Sequence, residues 1–442
     1  MNVSVIGLGK LGLCTAACIA SKGHCVAGVD KDESVIETLK DRRCLVRENA
    51  LPELLNESFE RISFSSSVEE AIFSTDVTLI IVPTPSDRDG VFSNEAVVSV
   101  LREAGSVLKR KKDFHVVDVV STVMPGSSEK EFIPLLENMT GKKCGIDFGF
   151  AYNPEFIALG SVIHDFLNPD LVLIGSSDDR TGECLRNLYE SFVDSSPKFA
   201  VMSLINAEIT KLALNCYVTM KITYANELAR LCGAIDGANV DVVSEALGAD
   251  TRIGGRCLKG GLGFAGPCFP RDNIAFQKLS SAVGAELFLP SQVVKSNDFI
   301  VDYLFDIVDE RIENGAALAL LGFSYKAGTH ICECSQSLKL MNRFLEAGYL
   351  VLAHDPMAKI DVPLRYKGSV TVCDDPLDAV ISAKGVLLLT PWTIYASMDL
   401  KILERKLAHP IHFFDCWRAL EDIASIDTVK YWALGVRSGR KE

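Results

Sequence analysis

The segment that most restricts this chain is its first twenty-one residues. A β-rich run, Asn2–Ile6, leads into Gly7-Leu8-Gly9-Lys10-Leu11-Gly12, and Lys10–Ser21 then carries helical spacing. In a strand–turn–helix of this kind the first glycine permits the tight turn, the second lets backbone approach a pyrophosphate, and the third lets helix and strand pack closely. The start of the helix adds unbonded N–H groups and a partial positive charge. Asp30 ends the next apolar run, Cys25–Asp30, 18 residues beyond Gly12. That is where a carboxylate would hold the ribose hydroxyls of a bound dinucleotide. An acid there repels a 2′-phosphate, so NAD is expected over NADP, with Lys31 weakening the preference slightly. Two loops at the ends of later strands extend the expected cofactor set. Val82-Pro83-Thr84-Pro85 follows VTLIIV and contributes Thr84, and Ser121-Thr122-Val123-Met124-Pro125-Gly126 follows VVDVV and contributes Ser121 and Thr122. Taken singly, such hydroxyls are more often helix caps or turn residues.

The pattern then repeats and breaks. Val77–Val82 and His115–Val120 are continuous apolar runs of the kind that parallel strands covered on both faces show. From Met202 to Cys232 there is no Gly or Pro, and Ile205, Ile209, Leu212, Ala213, Cys216 and Met220 recur at helical spacing. This predicts a helix of roughly 30 residues, about 45 Å long, suited to joining domains or to a subunit interface. After Asn314-Gly315 the alternation restarts: strands at Ala317–Leu321, Tyr349–Ala353, Gly385–Leu389 and Ile411–Phe414, with a helix at Ser335–Leu345. The expected fold class is α/β: two Rossmann-like, doubly wound parallel-sheet domains joined by a helical middle domain with a long connecting helix. The expected boundaries are 1–200, 201–312 and 313–442.

Composition removes several functions. The 442 residues hold 45 Lys plus Arg against 58 Asp plus Glu, a net charge of −13, which argues against nucleic acid as a partner. No apolar run approaches the ~18 residues of a membrane span, and the N-terminus reads as a strand rather than a leader, so a cytoplasmic chain with no membrane partner is expected. The 14 cysteines include no C-x-x-C pair, and Cys332-Glu333-Cys334 is too tight for a zinc knuckle, so no metal is expected. All but one of them are expected to be reduced, mostly buried thiols.

That one is Cys268. It sits in Gly260-Gly261-Leu262-Gly263-Phe264-Ala265-Gly266-Pro267-Cys268-Phe269-Pro270-Arg271-Asp272, where four glycines and two prolines exclude a regular element and make a shaped loop. A thiol held there can meet a ligand, and Arg271 would favour its thiolate. Lys211 and Asn215, four apart on the long helix, share a face and could stabilise an oxyanion, although a solvated Lys is the commoner case. Glu155, in Tyr152-Asn153-Pro154-Glu155-Phe156, could activate water, or could be an acid in a helix's first turn.

VIGLGKLG, IVPTP, STVMPG, YNPEF followed by NPDLVLIG, AEITKLALNCYVTMKITYANE, GFAGPCFPRD and GFSYKAGT, in this order across nearly the whole chain, resemble the UDP-glucose/GDP-mannose dehydrogenase family. The resemblance implies an NAD-binding domain, a helical middle domain forming a dimer or higher homo-oligomer, and a C-terminal domain for the substrate's nucleotide. It implies Cys268 as nucleophile, Lys211 and Asn215 as the oxyanion and proton-handling pair with Asp272 as partner, Glu155 as base for thioester hydrolysis, and Thr122 as a water-positioning hydroxyl. It implies Phe156, Lys211, Asn215, Arg252, Phe264, Gly266 and Lys326 around the substrate. The chain departs from the family at His330-Ile331-Cys332-Glu333-Cys334-Ser335, where Glu333 replaces an arginine that reaches the cofactor pyrophosphate, and at Ile157-Ala158-Leu159, Ala265 and Pro267.

The implied reaction is the four-electron oxidation of a nucleotide sugar, UDP-glucose first, at carbon 6 through a thiohemiacetal and a thioester on Cys268. GDP-mannose or a UDP-N-acetylhexosamine as substrate, release after two electrons, and a nucleotide-sugar-binding protein without turnover are the alternatives.

Overall fold

A computed structural model describes residues 1–44, 46–157 and 159–437, so Ala158 of the departing triplet lies outside it. The chain divides into two compact units, Met1–Ala213 and Leu214–Glu442.

The first unit is built on eight strands: β1 (Asn2–Ile6), β2 (Cys25–Val29), β3 (Ile62–Ser65), β4 (Val77–Ile80), β5 (Val116–Val119), β6 (Gly149–Tyr152), β7 (Leu171–Ser176) and β8 (Lys198–Met202), in the order β3-β2-β1-β4-β5-β6-β7-β8. The strand order reverses between β1 and β4, which opens a crevice at their carboxyl ends. All pairings are parallel except β6 with β7, where Ala151 lies opposite Ser176. The sheet is therefore mixed rather than wholly parallel. The return from β6 to β7 needs no crossover, and its six-residue helix Val162–Leu167 packs in the apolar layer on one face. Apolar layers cover both faces, one built on Val3, Val5, Leu79 and Val116, the other on Ile6, Ile80, Val117 and Val119. This is why those strands read as unbroken apolar runs rather than alternating ones.

The second unit carries helices Val240–Ala249, Phe269–Ala282 and Leu289–Asp309, then six strands: β9 (Ala317–Leu321), β10 (Leu350–His354), β11 (Val370–Val372), β12 (Gly385–Leu388), β13 (Ile411–Asp415) and β14 (Val429–Ala433). Their order is β11-β10-β9-β12-β13-β14, all parallel, with the reversal between β9 and β12. The long helix runs Leu204–Ala234, 31 residues, and the division between the units falls within it. No helix among the described residues is long and apolar enough to cross a membrane.

The cysteines depart from expectation. Five are buried, five partly buried, and Cys25, Cys257 and Cys334 are exposed along with Cys268. The two loops holding Cys257 and Cys334 give them positive φ, 64° and 55°, and carry them to the surface.

Candidate functional site

In the first unit the Gly7–Gly12 turn is fixed from several sides. Gly7 has φ +97°, and a Cβ there would lie 2.3 Å from Ile81 O; at Gly12 it would lie 1.8 Å from Gly7 O. At Gly9 it would meet nothing within 4 Å. Two of the glycines are thus demanded by the fold, while the third faces open space at the start of the Lys10–Ser21 helix, where the amides of Lys10, Leu11 and Gly12 have no partner inside the helix. The half-buried Asp30 accepts the Leu8 N–H (2.8 Å) through one oxygen and the Asp32 N–H (3.0 Å) through the other. It both closes the turn and presents a carboxylate beside it, next to exposed Lys31. Ser121 Oγ donates to Val82 O (2.6 Å) and accepts from Val82 N (2.9 Å), and Thr84 Oγ1 donates to Thr122 O (2.7 Å), so these hydroxyls knit the two strand-end loops together. These residues fit a dinucleotide: an open approach at Gly9, a helix N-terminus and an acid at the next strand end.

Two residues that sequence reasoning missed complete this region. Glu208, fully buried on the long helix, accepts the N–H groups of Gly126 (2.5 Å) and Ser128 (2.9 Å), and so clamps the loop carrying Thr122. Tyr189 donates its hydroxyl to Glu155 Oε1 (2.8 Å). Glu155 stands in an irregular segment after β6, so it is not a first-turn helix acid. Burial pushes its carboxyl up to about 7, against the opposing pulls of the Tyr189 hydroxyl and the Lys211 charge. Lys211, itself buried, donates to the Glu155 carbonyl (2.5 Å) and lies 4.5 Å from the centre of the Phe156 ring. It is not the solvated lysine that is the commoner case. Lys211, Glu155 and Phe156 thus come together, and nothing in the linear spacing of 56 residues between Glu155 and Lys211 marks that.

In the second unit Cys268 is the residue that opens the Phe269–Ala282 helix, with Pro270 in its first turn. The thiol is exposed and stands at the positive end of the helix dipole, where negative charge on sulfur is stabilised. One turn on, Asp272 is 1 % exposed and accepts Asn215 Nδ2 at 2.6 Å, and its own N–H bonds Cys268 O at 2.8 Å. Asn215, Asp272 and the backbone of Cys268 therefore form one connected group.

The glycine loop before Cys268 has its shape imposed by side chains. Asn226 bonds Gly261 N (2.9 Å) and Leu262 O (3.2 Å), Asn297 bonds Phe264 O (3.0 Å), and Arg418 bonds Gly260 O (2.7 Å). A Cβ on Gly261 would lie 2.5 Å from the Trp417 ring. The loop forms one wall of a cavity of ≈ 390 Å³. The other walls come from the loops after β9 and β12, on either side of the strand-order reversal, where ligands of open α/β sheets bind. Phe264, Phe269, Tyr325 and Trp417 supply aromatic surface; Lys259 and Lys326 supply positive charge. Of the residues that the resemblance puts around the substrate and that belong to this unit, Phe264 and Lys326 line the cavity, and Asn215, Arg252 and Gly266 do not. Gly266 is packed against Tyr325 and donates to Glu333 O (2.8 Å), and Arg252 is exposed and held by Asp250 through Nε (3.0 Å) and Nη2 (2.6 Å).

Comparison with known proteins agrees with this arrangement. The UDP-glucose/GDP-mannose dehydrogenase family matches as its NAD binding domain over residues 1–193, its central domain over 205–299 and its UDP binding domain over 319–422. A UDP-glucose 6-dehydrogenase of Haloferax volcanii is 34% identical over 403 residues, 90% of this chain and 93% of that one. A GDP-mannose 6-dehydrogenase of Pseudomonas savastanoi is 33% identical over 354 residues, 79% of each. A solved UDP-glucose dehydrogenase from Pyrobaculum islandicum superposes with a TM-score of 0.86 at 31% identity, covering 98% of both chains. The glycine turn with its open approach, the second reversal with its cavity, and these matches along the chain lead to one assignment: it belongs to the UDP-glucose/GDP-mannose dehydrogenase family and is an NAD-dependent nucleotide-sugar dehydrogenase.

Proposed function

We propose that the chain oxidises the carbon-6 alcohol of a nucleotide sugar, UDP-glucose in the first place, to the uronate, with Cys268 as covalent nucleophile. NAD, which Gly9, the start of the Lys10–Ser21 helix and Asp30 would hold, would supply the hydride acceptor, two cofactor molecules for each sugar. Lys211 takes up or relays the hydroxyl proton in the first oxidation. The Cys268 sulfur then bonds the aldehyde carbon, and the carbonyl oxygen, gaining a proton, becomes the hydroxyl of a thiohemiacetal, with Asn215 and Lys211 as oxyanion donors. In the second oxidation the thiohemiacetal carbon loses hydride, its hydroxyl proton leaves through Lys211, and a thioester remains. A water placed by Thr122 gives a proton to Glu155 as its oxygen bonds the acyl carbon, and the C–S electron pair returns to sulfur.

The observation carrying this reading is the placement of Cys268 at the start of a helix, directly after the loop that walls the cavity at the second sheet's reversal. Lys326 and Lys259 suit a diphosphate, the aromatic walls suit base and sugar, and Phe156 and Arg252 are assigned to the sugar end. UDP-glucose is favoured by the Haloferax relative, and GDP-mannose is the second reading because the Pseudomonas relative is almost as similar. The functional division at residues 200 and 312 belongs to the same proposal. So does a homo-oligomer joined through the middle helices. Counting NADH per sugar with UDP-glucose, GDP-mannose and UDP-N-acetylhexosamines tests it. Two per sugar is expected with UDP-glucose. One per sugar, or two from Cys268→Ser protein, removes the thioester step.

A further inference from the structure

Asp118 is a carboxyl group for which the family reading has no use. It lies in β5, is 0 % exposed, and neither of its oxygens has a hydrogen-bond partner. Strand register pairs it with Ala151, so its side chain faces the layer that holds Ala151, Phe166, Leu185, Leu188 and Tyr189. Every neighbour in the run from Val116 to Val120 is valine, and a fifth apolar residue would be the stabilising choice. The backbone of nearby Asn153 pulls its carboxyl down only a little, less than burial and the charge of Glu155 push it up, and the Asn153 N–H also bonds Val119 O (3.1 Å).

Glu155 is the second carboxyl of this region, and each carboxyl opposes ionisation of the other. Tyr189 senses both. Its ring is held by Phe166 (6.1 Å between centroids) and Phe192 (4.8 Å), which fixes the place of its hydroxyl oxygen, and the hydroxyl donates to Glu155 Oε1 at 2.8 Å. We propose that Tyr189 is a positioning residue that decides which of two buried carboxyl groups carries the negative charge: its hydroxyl bonds Glu155 and leaves Asp118 as the neutral acid. The proposal rests on Glu155 being the base of the hydrolytic step.

The electrostatics run the same way. Burial first, and then the charge of Glu155, hold Asp118 well above the usual carboxylate range, so it stays protonated while Glu155 ionises near neutrality. The groups facing Glu155 are Asp118 from β5, Tyr189 from the Asp179–Phe192 helix, Lys211 from the long helix and Cys18 from the Lys10–Ser21 helix. Burial pushes Cys18 up to about 12, so it adds no charge. Environments that drive two carboxyls apart assign their roles.

The test follows acyl-enzyme on Cys268 by intact mass after rapid quench, across pH, together with the infrared carbonyl band of protonated carboxyls. In the native protein at pH 8 one buried protonated carboxyl is expected, absent from Asp118→Asn. Tyr189→Phe, which removes one oxygen and keeps the ring, is expected to move the rising limb of acyl-enzyme hydrolysis upward by roughly one pH unit. Asp118→Asn, which replaces one neutral group by another, is expected to leave that limb in place. An unmoved limb in Tyr189→Phe overturns the proposal, and so does a limb moved downward in Asp118→Asn, because Asp118 would then be ionised. Glu155→Gln separates the premise: if acyl-enzyme fails to accumulate there, the base reading itself is wrong, and the proposal goes with it.

Discussion

Gly7 and Gly9 stand two residues apart in one turn, yet an added methyl group acts on each through a different cause. At Gly7 it collides with Ile81 O at 2.3 Å and the backbone sits at φ +97°. The conformation alone costs on the order of 1–3 kcal/mol. Gly7→Ala is therefore expected to lower the melting temperature whether or not cofactor is present. At Gly9 the backbone is extended and the methyl meets nothing. Gly9→Ala should keep the native melting temperature and raise the KM for NAD about tenfold or more, checked by thermal unfolding with and without NAD and by initial rates. Equal losses of stability in both variants would remove the cofactor role of Gly9. Glu155 gives a second residue-scale prediction. Burial pushes its carboxyl up to about 7 in the folded chain, from the ordinary 4.5. Between those values the native state keeps a proton that the unfolded chain has released, so stability falls as pH rises through this window and the cost is complete above it. Glu155→Gln lacks that cost. Its melting temperature should approach that of the native protein near pH 4.5 and exceed it increasingly up to pH 7, then hold a constant margin. A margin that shrinks with pH would mean the carboxylate is stabilised rather than penalised by its surroundings.

At the scale of elements, the pair Asn215–Asp272 joins the long helix to the helix that begins at Cys268. The carboxyl of Asp272 is 1 % exposed, and its bond to Asn215 is 2.6 Å. Removing one partner of such a pair leaves a desolvated polar group, at about 1–3 kcal/mol or more if it is charged. Asn215→Ala is expected to lose stability by that order and to lower kcat more than it raises KM. The double variant with Asp272→Asn should lose less than the sum, since the two substitutions remove one shared interaction. Additive losses in urea unfolding would show that the two side chains act independently. Elements were also where the sequence could be read most fully. Lys10–Ser21 and Ala317–Leu321 match their expected bounds because glycine punctuates them, and the long helix shows through its lack of Gly and Pro. The reversed direction of β7 was not legible, since Leu171–Ser176 is the same apolar run whichever way it pairs. Asp118 passed as part of an apolar strand because one polar residue does not break a run of valines. The cavity was half visible: its glycine loop is a local signal, but Trp417, Gln336 and Thr390 reach it from distant segments. Arg252, matched by motif, stays on the surface of its own unit, bonded to Asp250.

For the whole molecule, a net charge of −13 disfavours self-association unless an apolar face overrides it. The long helix offers one. Tyr217, Tyr224 and Leu231 follow at seven-residue intervals and are 56%, 51% and 56% exposed. In the same unit Phe288 and Leu289 are 69% and 63% exposed at the start of the Leu289–Asp309 helix. Large side chains spaced two turns apart form a stripe along one side of a helix, which is the geometry of a helix that pairs with a second copy of itself. An isolated exposed Leu means little, whereas a row of aromatic and aliphatic side chains on one helix marks an interface. The chain is therefore expected to sediment as a dimer or larger closed assembly at micromolar concentration. Tyr224→Lys with Leu231→Glu should convert it to monomer, because each charge would have to be desolvated against apolar surface. Sedimentation equilibrium reads the mass. The substitutions lie on exposed positions, so circular dichroism should show an unchanged helix content in the monomer. A native protein that sediments at 48.1 kDa would refute the interface outright. An unchanged dimer in the double variant would move the interface to another face of the chain.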